Sequence, residues 1–301
     1  MSSSTDPSKK HDFMLVVEVT LGNPNGDPDL DNQPRQNFET DQGLLSDAST
    51  KRKVRNFTED YFSDLPGYEI YVKEDCTLNS KIEKVCSEQG LAFDAEDTKK
   101  KKDKISKKYG EEAELQVRTS LIQKYVDLRL FGGVLTTGRD AGQVRGPIQI
   151  LTGFSINPIN PQEITISRKA ITKEEDKDKP STFGKKWIVP HAVYVIYGHY
   201  SSNDGFHGPR STGVTQQDLE NFYIALKNMY ETDRSAARGL MTMRGLYVFT
   251  HECKFGNAPA QVLFESIQVR SKTENPSKFS DYEVTLPTEL PKGVTLDVMV
   301  G

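Results

Sequence analysis

Phe13 to Thr20 (FMLVVEVT) is built of β-branched and long apolar side chains, and the residues after Thr20 cannot extend it. Such a run favours a buried, pleated strand. Leu21 to Thr40 then holds Gly22, Pro24, Gly26, Pro28 and Pro34 among Asn and Asp residues, a composition that neither continues a strand nor starts a helix. The strand must deliver the chain into a long structured loop, the kind of segment that carries function on a rigid scaffold. Ser46 or Asp47 can cap a helix running to about Phe62, with Val54, Phe57 and Tyr61 as its buried stripe. Lys51, Arg52 and Arg55 fall off that stripe, on a solvent or ligand face.

Tyr68 to Val72 reads as a short strand, and Asp75 to about Glu114 as a polar, lysine-rich insertion. A second helix spans about Val117 to Phe131, with Val117, Leu121, Tyr125 and Leu128 on one face and a stop at Gly132 and Gly133. Strands follow at Ile148 to Ile156, Ile164 to Ile171 and Trp187 to Tyr200, and the charged stretch Lys173 to Lys186 reads as the exposed tip of a hairpin. Thr215 opens a third helix with Leu219, Phe222, Leu226 and Met229 inward and Gly239 as its end marker. Leu246 to His251 is a strand, Pro259 starts a short helix, and the chain returns to β at Tyr282 to Leu286 and Val294 to Val300. The pattern is α+β, and its simplest solution is a ferredoxin-like or RRM-like sheet with helices on one face. No period of 20 to 50 residues is present, which excludes a solenoid.

Net charge misleads: 39 Lys and Arg against 43 Asp and Glu give −4, but the charges are not evenly spread. Lys51, Arg52, Lys53 and Arg55 stand together without an acid, and Thr98 to Tyr109 carries seven Lys against one Asp. Local clusters decide phosphate affinity. Three scattered cysteines, Cys76, Cys86 and Cys253, make no disulfide framework, and residues 1–11 read as a disordered leader without a signal peptide's apolar core, so a cytoplasmic protein is expected. The longest apolar runs, Phe13 to Val17 and Ala192 to Tyr197, are far too short to span a bilayer.

Several chemical signatures fail on spacing. Asp27, Asp29 and Asp31 stand at the first EF-hand ligand positions, but Asn32 replaces the turn Gly and Phe38 the bidentate Glu. Carboxylates and Asn side chains bracing a Pro-rich loop account for the same residues. His251-Glu252 lacks the second His of a zincin, and no phosphate-binding or nucleophile-elbow motif occurs. Gly138 to Gly146 (GRDAGQVRG) offers glycines around Arg139, Gln143 and Arg145 for an anion, or simply joins helix to strand. Arg234, Arg238 and Arg244 gather where the third helix ends, where the helix dipole alone favours Arg.

The order of these segments carries more. Gly22-Asn-Pro-Asn-Gly-Asp-Pro-Asp29, Gln33-Pro34-Arg35, Gly43 to Asp47 and Lys51 to Asn56 are followed by Phe131 to Val134, Ala141 to Pro147 and Ile166 to Arg168. Phe183 to Pro190, Asp233 to Gly239 and Gly256 to Pro259 complete the series. In this order they resemble the crRNA-binding RAMP backbone subunit of type I CRISPR Cascade complexes, in its type I-C version.

The resemblance implies an RRM-like palm (12–74 and 115–301), a fingers insertion (75–114) and a β-hairpin thumb (about 164–188), with copies polymerising along one crRNA. It assigns RNA contacts to Lys51, Arg52 and Arg55 and to Asn23, Asn25 and Arg35. Further contacts fall to Gln143, Arg145 and Arg168, to Lys185 and Lys186, and to Arg234, Arg238 and Arg244. Phe183 becomes a candidate wedge. It also implies target DNA, a 5′-end-binding subunit, a large subunit and a recruited helicase-nuclease as partners, with no catalytic residue, metal or cofactor. Two alternatives stay open: a type III-like metal-dependent RNase using Asp27, Asp29 and Asp31, and a plain RRM-type mRNA binder.

Overall fold

His11 through Val19 are all buried, so the first strand needs cover on both faces. In the computed structural model, which describes residues 3–74, 76–94, 104–168 and 182–301 (backbone only at 167–168 and 182–183), it receives that cover. Strand β1 (His11–Gly22) lies between β10 (Thr182–Tyr200) and β11 (Leu240–His251), antiparallel to both. Outside β11 runs β14 (Val294–Val300). On its other edge β10 pairs with both β7 (Ile148–Ile150) and β8 (Gly153–Pro158), and β4 (Gln42–Leu45) pairs with β8, while the two-residue strands β2 (Gly26–Asp27) and β3 (Gln33–Pro34) pair with each other in the loop after β1.

Phe13, Leu15, Val17 and Val19 face helices α1 (Asp47–Phe62) and α6 (Gln216–Thr232), meeting Val54, Phe57, Leu219, Phe222, Leu226 and Met229. Each such apolar side chain contributes about 1.5–3 kcal/mol on burial. Met14 and Val16, one residue out of phase, face the opposite way and pack with Tyr247, Phe249 and Leu263 and Phe264 of α7 (Ala260–Ser266). Tyr282, from the hairpin β12 (Gln268–Ser271) and β13 (Tyr282–Thr285), closes this side.

Caps fix the helix starts. Ser46 Oγ accepts from the Ser49 N–H at 3.2 Å, and Thr215 forms a reciprocal capping box with Asp218. The third helix stops at Thr232; Gly239 instead sits at φ +61° against the Leu21 carbonyl. Tyr61 is 58% exposed and stacks on Phe57 rather than joining the core.

A second core forms where the sequence suggests a featureless insertion. Ile82, Val85 and Cys86 of α2 (Leu78–Glu88) and Ile105 of α3 (Ile105–Tyr109) pack with Val117 and Leu121 of α4 (Glu111–Lys124) and with Tyr71, Leu135 and Val144. The lobe therefore extends past the expected limit at 114. Burial pushes the Cys86 thiol up to about 11. The expected helix Val117–Phe131 breaks at Tyr125, whose extended backbone lets the Val126 N–H bond the Glu69 carbonyl; α5 (Val126–Phe131) follows. Tyr68 to Val72 forms only that single bridge, because Asp127 takes the N–H groups of Tyr71 and Val72. The expected strand Ile148–Ile156 is two strands, β7 and β8.

The expected disordered leader is built into the fold over residues 3–11: Ser4 and Thr5 are buried, and the Pro7 carbonyl accepts from the Tyr200 hydroxyl at 2.9 Å. Strand β9 (Gln162–Arg168) pairs only with the first part of β10, making a two-stranded arm with exposed Ile164 and Ile166. Its tip at 169–181 and the lysines at 99–102 lie outside the described residues. No described helix is long and apolar enough to cross a membrane.

Candidate nucleic-acid interface

Where β1 ends, its backbone touches the turn after α6. A Cβ on Gly22 would sit 1.7 Å from the Arg238 carbonyl oxygen, so only glycine fits this approach. The next residue seals the contact, the Asn23 N–H donating to the Ala237 carbonyl at 2.9 Å. Asn25 Oδ1 accepts from the Ser46 N–H at 2.7 Å, tying the loop to the start of α1. Asp27 accepts from Arg35 at 2.9 Å and from the Asp29 N–H at 3.1 Å, and the Arg35 N–H donates to the Asn25 carbonyl. Asn25 and Arg35 are thus braces of the loop.

Three sequence-distant segments meet here around a polar cavity of about 280 Å³, lined by Asn23, Asn25 and Gly26, by Ser49 and Lys53 of α1, and by Ser235 and Arg238. Asp233 pairs with both Lys53, at 2.5 Å, and Arg238. Burial lowers the Lys53 pKa, partly offset by Asp233. Two cations against one carboxylate leave the cavity wall with a positive excess. Lys186 of β10 donates to the Ala236 carbonyl at 3.1 Å, bringing the base of the arm to the same turn.

Other expected contact residues lie elsewhere. Lys51 and Arg55 occupy the opposite flank of α1, beside the Phe131 ring. Lys51 pairs with Asp47 at 2.9 Å; Arg55, its side chain only 13% exposed, pairs with the buried Asp127 at 2.8 Å. Arg55 is therefore an internal cation, not the solvent-facing one its position suggests. Arg52 faces outward, bound to Glu74 at 2.7 Å. Arg244 pairs with Glu18 at 2.7 Å and lies over Phe279. Arg234 pairs with Glu231 on the surface, and Lys185 with Glu163 at 2.6 Å. Gln143 and Arg145 are exposed on the hairpin of β5 (Gly132–Val134) and β6 (Gln143–Arg145), with Arg145 at 3.3 Å from Asp204. Arg139, from the same glycine-rich segment, points into the second lobe, over Phe93. Arg168 and Phe183 are placed by backbone pairing alone, opposite Thr182 and Ser167.

Lys53, Ser49 and Ser235 were not legible as site residues. Lys53 belongs to the basic run, but beside Val54 it falls on the buried stripe, which hides a cation that reaches a cavity through the helix flank.

A second polar cluster lies at the start of β1. Asp12 accepts from His251 Nε2 at 2.8 Å, pairs with Lys10 at 3.0 Å and lies 2.5 Å from His199 Nδ1. Burial alone would raise the Asp12 pKa, but these partners outweigh it and hold the carboxyl well below the usual range. His251 Nδ1 accepts from the Asn257 N–H, which fixes the tautomer. Among the described residues no three His, Cys, Asp or Glu side chains gather closely enough to hold a metal ion. The mRNA-binder reading fails on geometry: α7 and the β12–β13 hairpin cover the sheet face on which an RRM stacks bases.

Residues 9–287 match the family described as CRISPR-associated protein Cas7. A CRISPR-associated protein Cas7 of Haloferax volcanii is 25% identical over 248 residues, covering 75% of this chain and 66% of the relative, a little under two thirds of its length. A chain of the CRISPR RNA-guided surveillance complex, pre-nicking, superposes with a TM-score of 0.50 at 13% identity, over 80% of this chain and 78% of that one, a likeness of fold. With the family match running through nearly its whole length, this chain belongs to the CRISPR-associated protein Cas7 family.

Proposed function

We propose that the chain is the backbone subunit of a type I interference complex of the I-C kind, holding crRNA by its sugar-phosphate backbone and presenting bases to target DNA. The observation that carries this is the convergence of Asn23, Lys53 and Arg238, from three separate segments, on one polar cavity with a positive excess. Backbone contacts suit a guide of variable sequence, since specificity then passes to base pairing. In the family's terms, the palm is the sheet in the order β11-β1-β10-β8 with α1 and α6 on one face. The second lobe corresponds to the fingers, and the β9–β10 arm to the thumb that reaches a neighbouring copy. In this reading the subunit binds rather than cuts RNA, which is supported by the engagement of the Asp27 carboxylate with Arg35 and the Asp29 N–H. The 5′-end-binding and large subunits and the helicase-nuclease complete the assembly.

The test is the salt dependence of guide-length RNA binding by the wild type, Arg238→Gln and Lys186→Gln. Each lost phosphate contact should flatten the slope of log K against log salt by about 0.7. Unchanged slopes in folded variants would remove the cavity from the RNA path.

A further inference from the structure

Asn23 is buried, with 8% of its surface exposed, and its two polar side-chain atoms have different fates. Nδ2 donates to the Asn32 carbonyl at 2.6 Å. Because that partner only accepts, the amide orientation is settled and Oδ1 is the acceptor. Among the described residues nothing donates to Oδ1, although it is buried and Asn23 lines the cavity. Resting on the RNA-binding reading above, the geometry points to a ribose-reading subsite, in which Asn23 Oδ1 accepts from an RNA 2′-hydroxyl while Lys53 and Arg238 face the adjoining phosphate.

A buried acceptor requires a donor. Phosphate oxygens cannot serve, because they too only accept; Lys53 and Arg238 already complement them. Base amino groups are donors, but they vary with sequence, whereas the 2′-hydroxyl recurs at every nucleotide and is absent from DNA. A site that pairs a substrate hydroxyl penalises the analogue lacking it by leaving its own group unpaired. The loop is rigid enough to impose this: the Asn23 N–H is anchored to Ala237, Asn25 to Ser46 and Asp27 to Arg35. The cavity would thus make the subunit selective for RNA over single-stranded DNA, keeping it on the guide and off the displaced strand.

The experiment compares binding of the full chain to one short oligonucleotide made as ribose RNA and as 2′-fluoro RNA, which lacks the hydroxyl donor while keeping an RNA-like sugar. The wild type should bind ribose tighter by roughly 2- to 10-fold per occupied site, and Asn23→Ala and Asn23→Leu, which carry no acceptor, should bind both forms alike. Lys53→Met should weaken both forms equally and keep the ratio. Equal wild-type affinity for the two forms, or a ratio that survives in either folded Asn23 variant, overturns the subsite while leaving RNA binding standing. Failure to bind either form overturns both readings.

Discussion

Strand β1 joins two polar clusters, roughly 35–40 Å apart, that differ in how their buried atoms are satisfied. At its start, the Asp12 carboxylate is shared by His251, His199 and Lys10, and His11 places Nδ1 on Thr250 and Nε2 on the Asp6 carbonyl. At its end, Asn23 keeps an acceptor that no described residue serves, beside cations that outnumber their carboxylate. Buried polarity of the first kind is architecture: closed and dependent on neutral or paired groups. Buried polarity of the second kind is held open by a rigid loop and is completed only by something from outside.

The largest effect should come from breaking the closed cluster. Asp12→Ala strands the buried His251 and takes the carboxylate from the half-buried His199 and Lys10, and should cost about 3–5 kcal/mol of stability, measured by denaturant unfolding. RNA affinity of the folded fraction should stay at the wild-type value. A stable variant with weakened RNA binding would erase the distinction between the clusters.

A smaller effect is expected from His11, whose pKa burial pushes down to about 4 from the ordinary 6.5. Its folded form resists protonation while the unfolded form accepts it, so stability is complete above 6.5 and declines as pH falls towards 4. The loss is roughly 3 kcal/mol across that window. Unfolding curves at pH 7 and pH 5 should show the decline, and His11→Phe should remove its share; an unchanged pH dependence in that variant would show that His11 is not held neutral.

How much of the fold and the site was legible depends on where each residue's partners lie. The apolar period placed α1 to the residue, β1 to within two residues at each end and the start of α6 but not its end, because Phe13, Val54 and Leu226 are buried for reasons local to their own elements. The loop after β1 was legible as a long structured one because Gly22, Pro24, Gly26, Pro28 and Pro34 neither continue a strand nor start a helix. Arg55 was misplaced because its partner Asp127 lies 72 positions away, and a helical wheel shows the flank a cation occupies but not what lies against it. The insertion was legible as a separate stretch, but its packed core was not, because the apolar residues, from Tyr71 to Val144, are spread among lysines and meet only in the folded chain. The leader was misread because Ser4 and Pro7 are held by tertiary contacts to distant strands.

The most direct test is to photocross-link RNA carrying 4-thiouridine to the full-length protein and map the modified peptides. Cross-links should concentrate at 21–35, 46–56 and 233–239, the three segments that surround the cavity at the end of β1. Cross-links confined to the α7 and β12–β13 side of the sheet, or to the second lobe, would contradict the assignment of the open cluster to RNA.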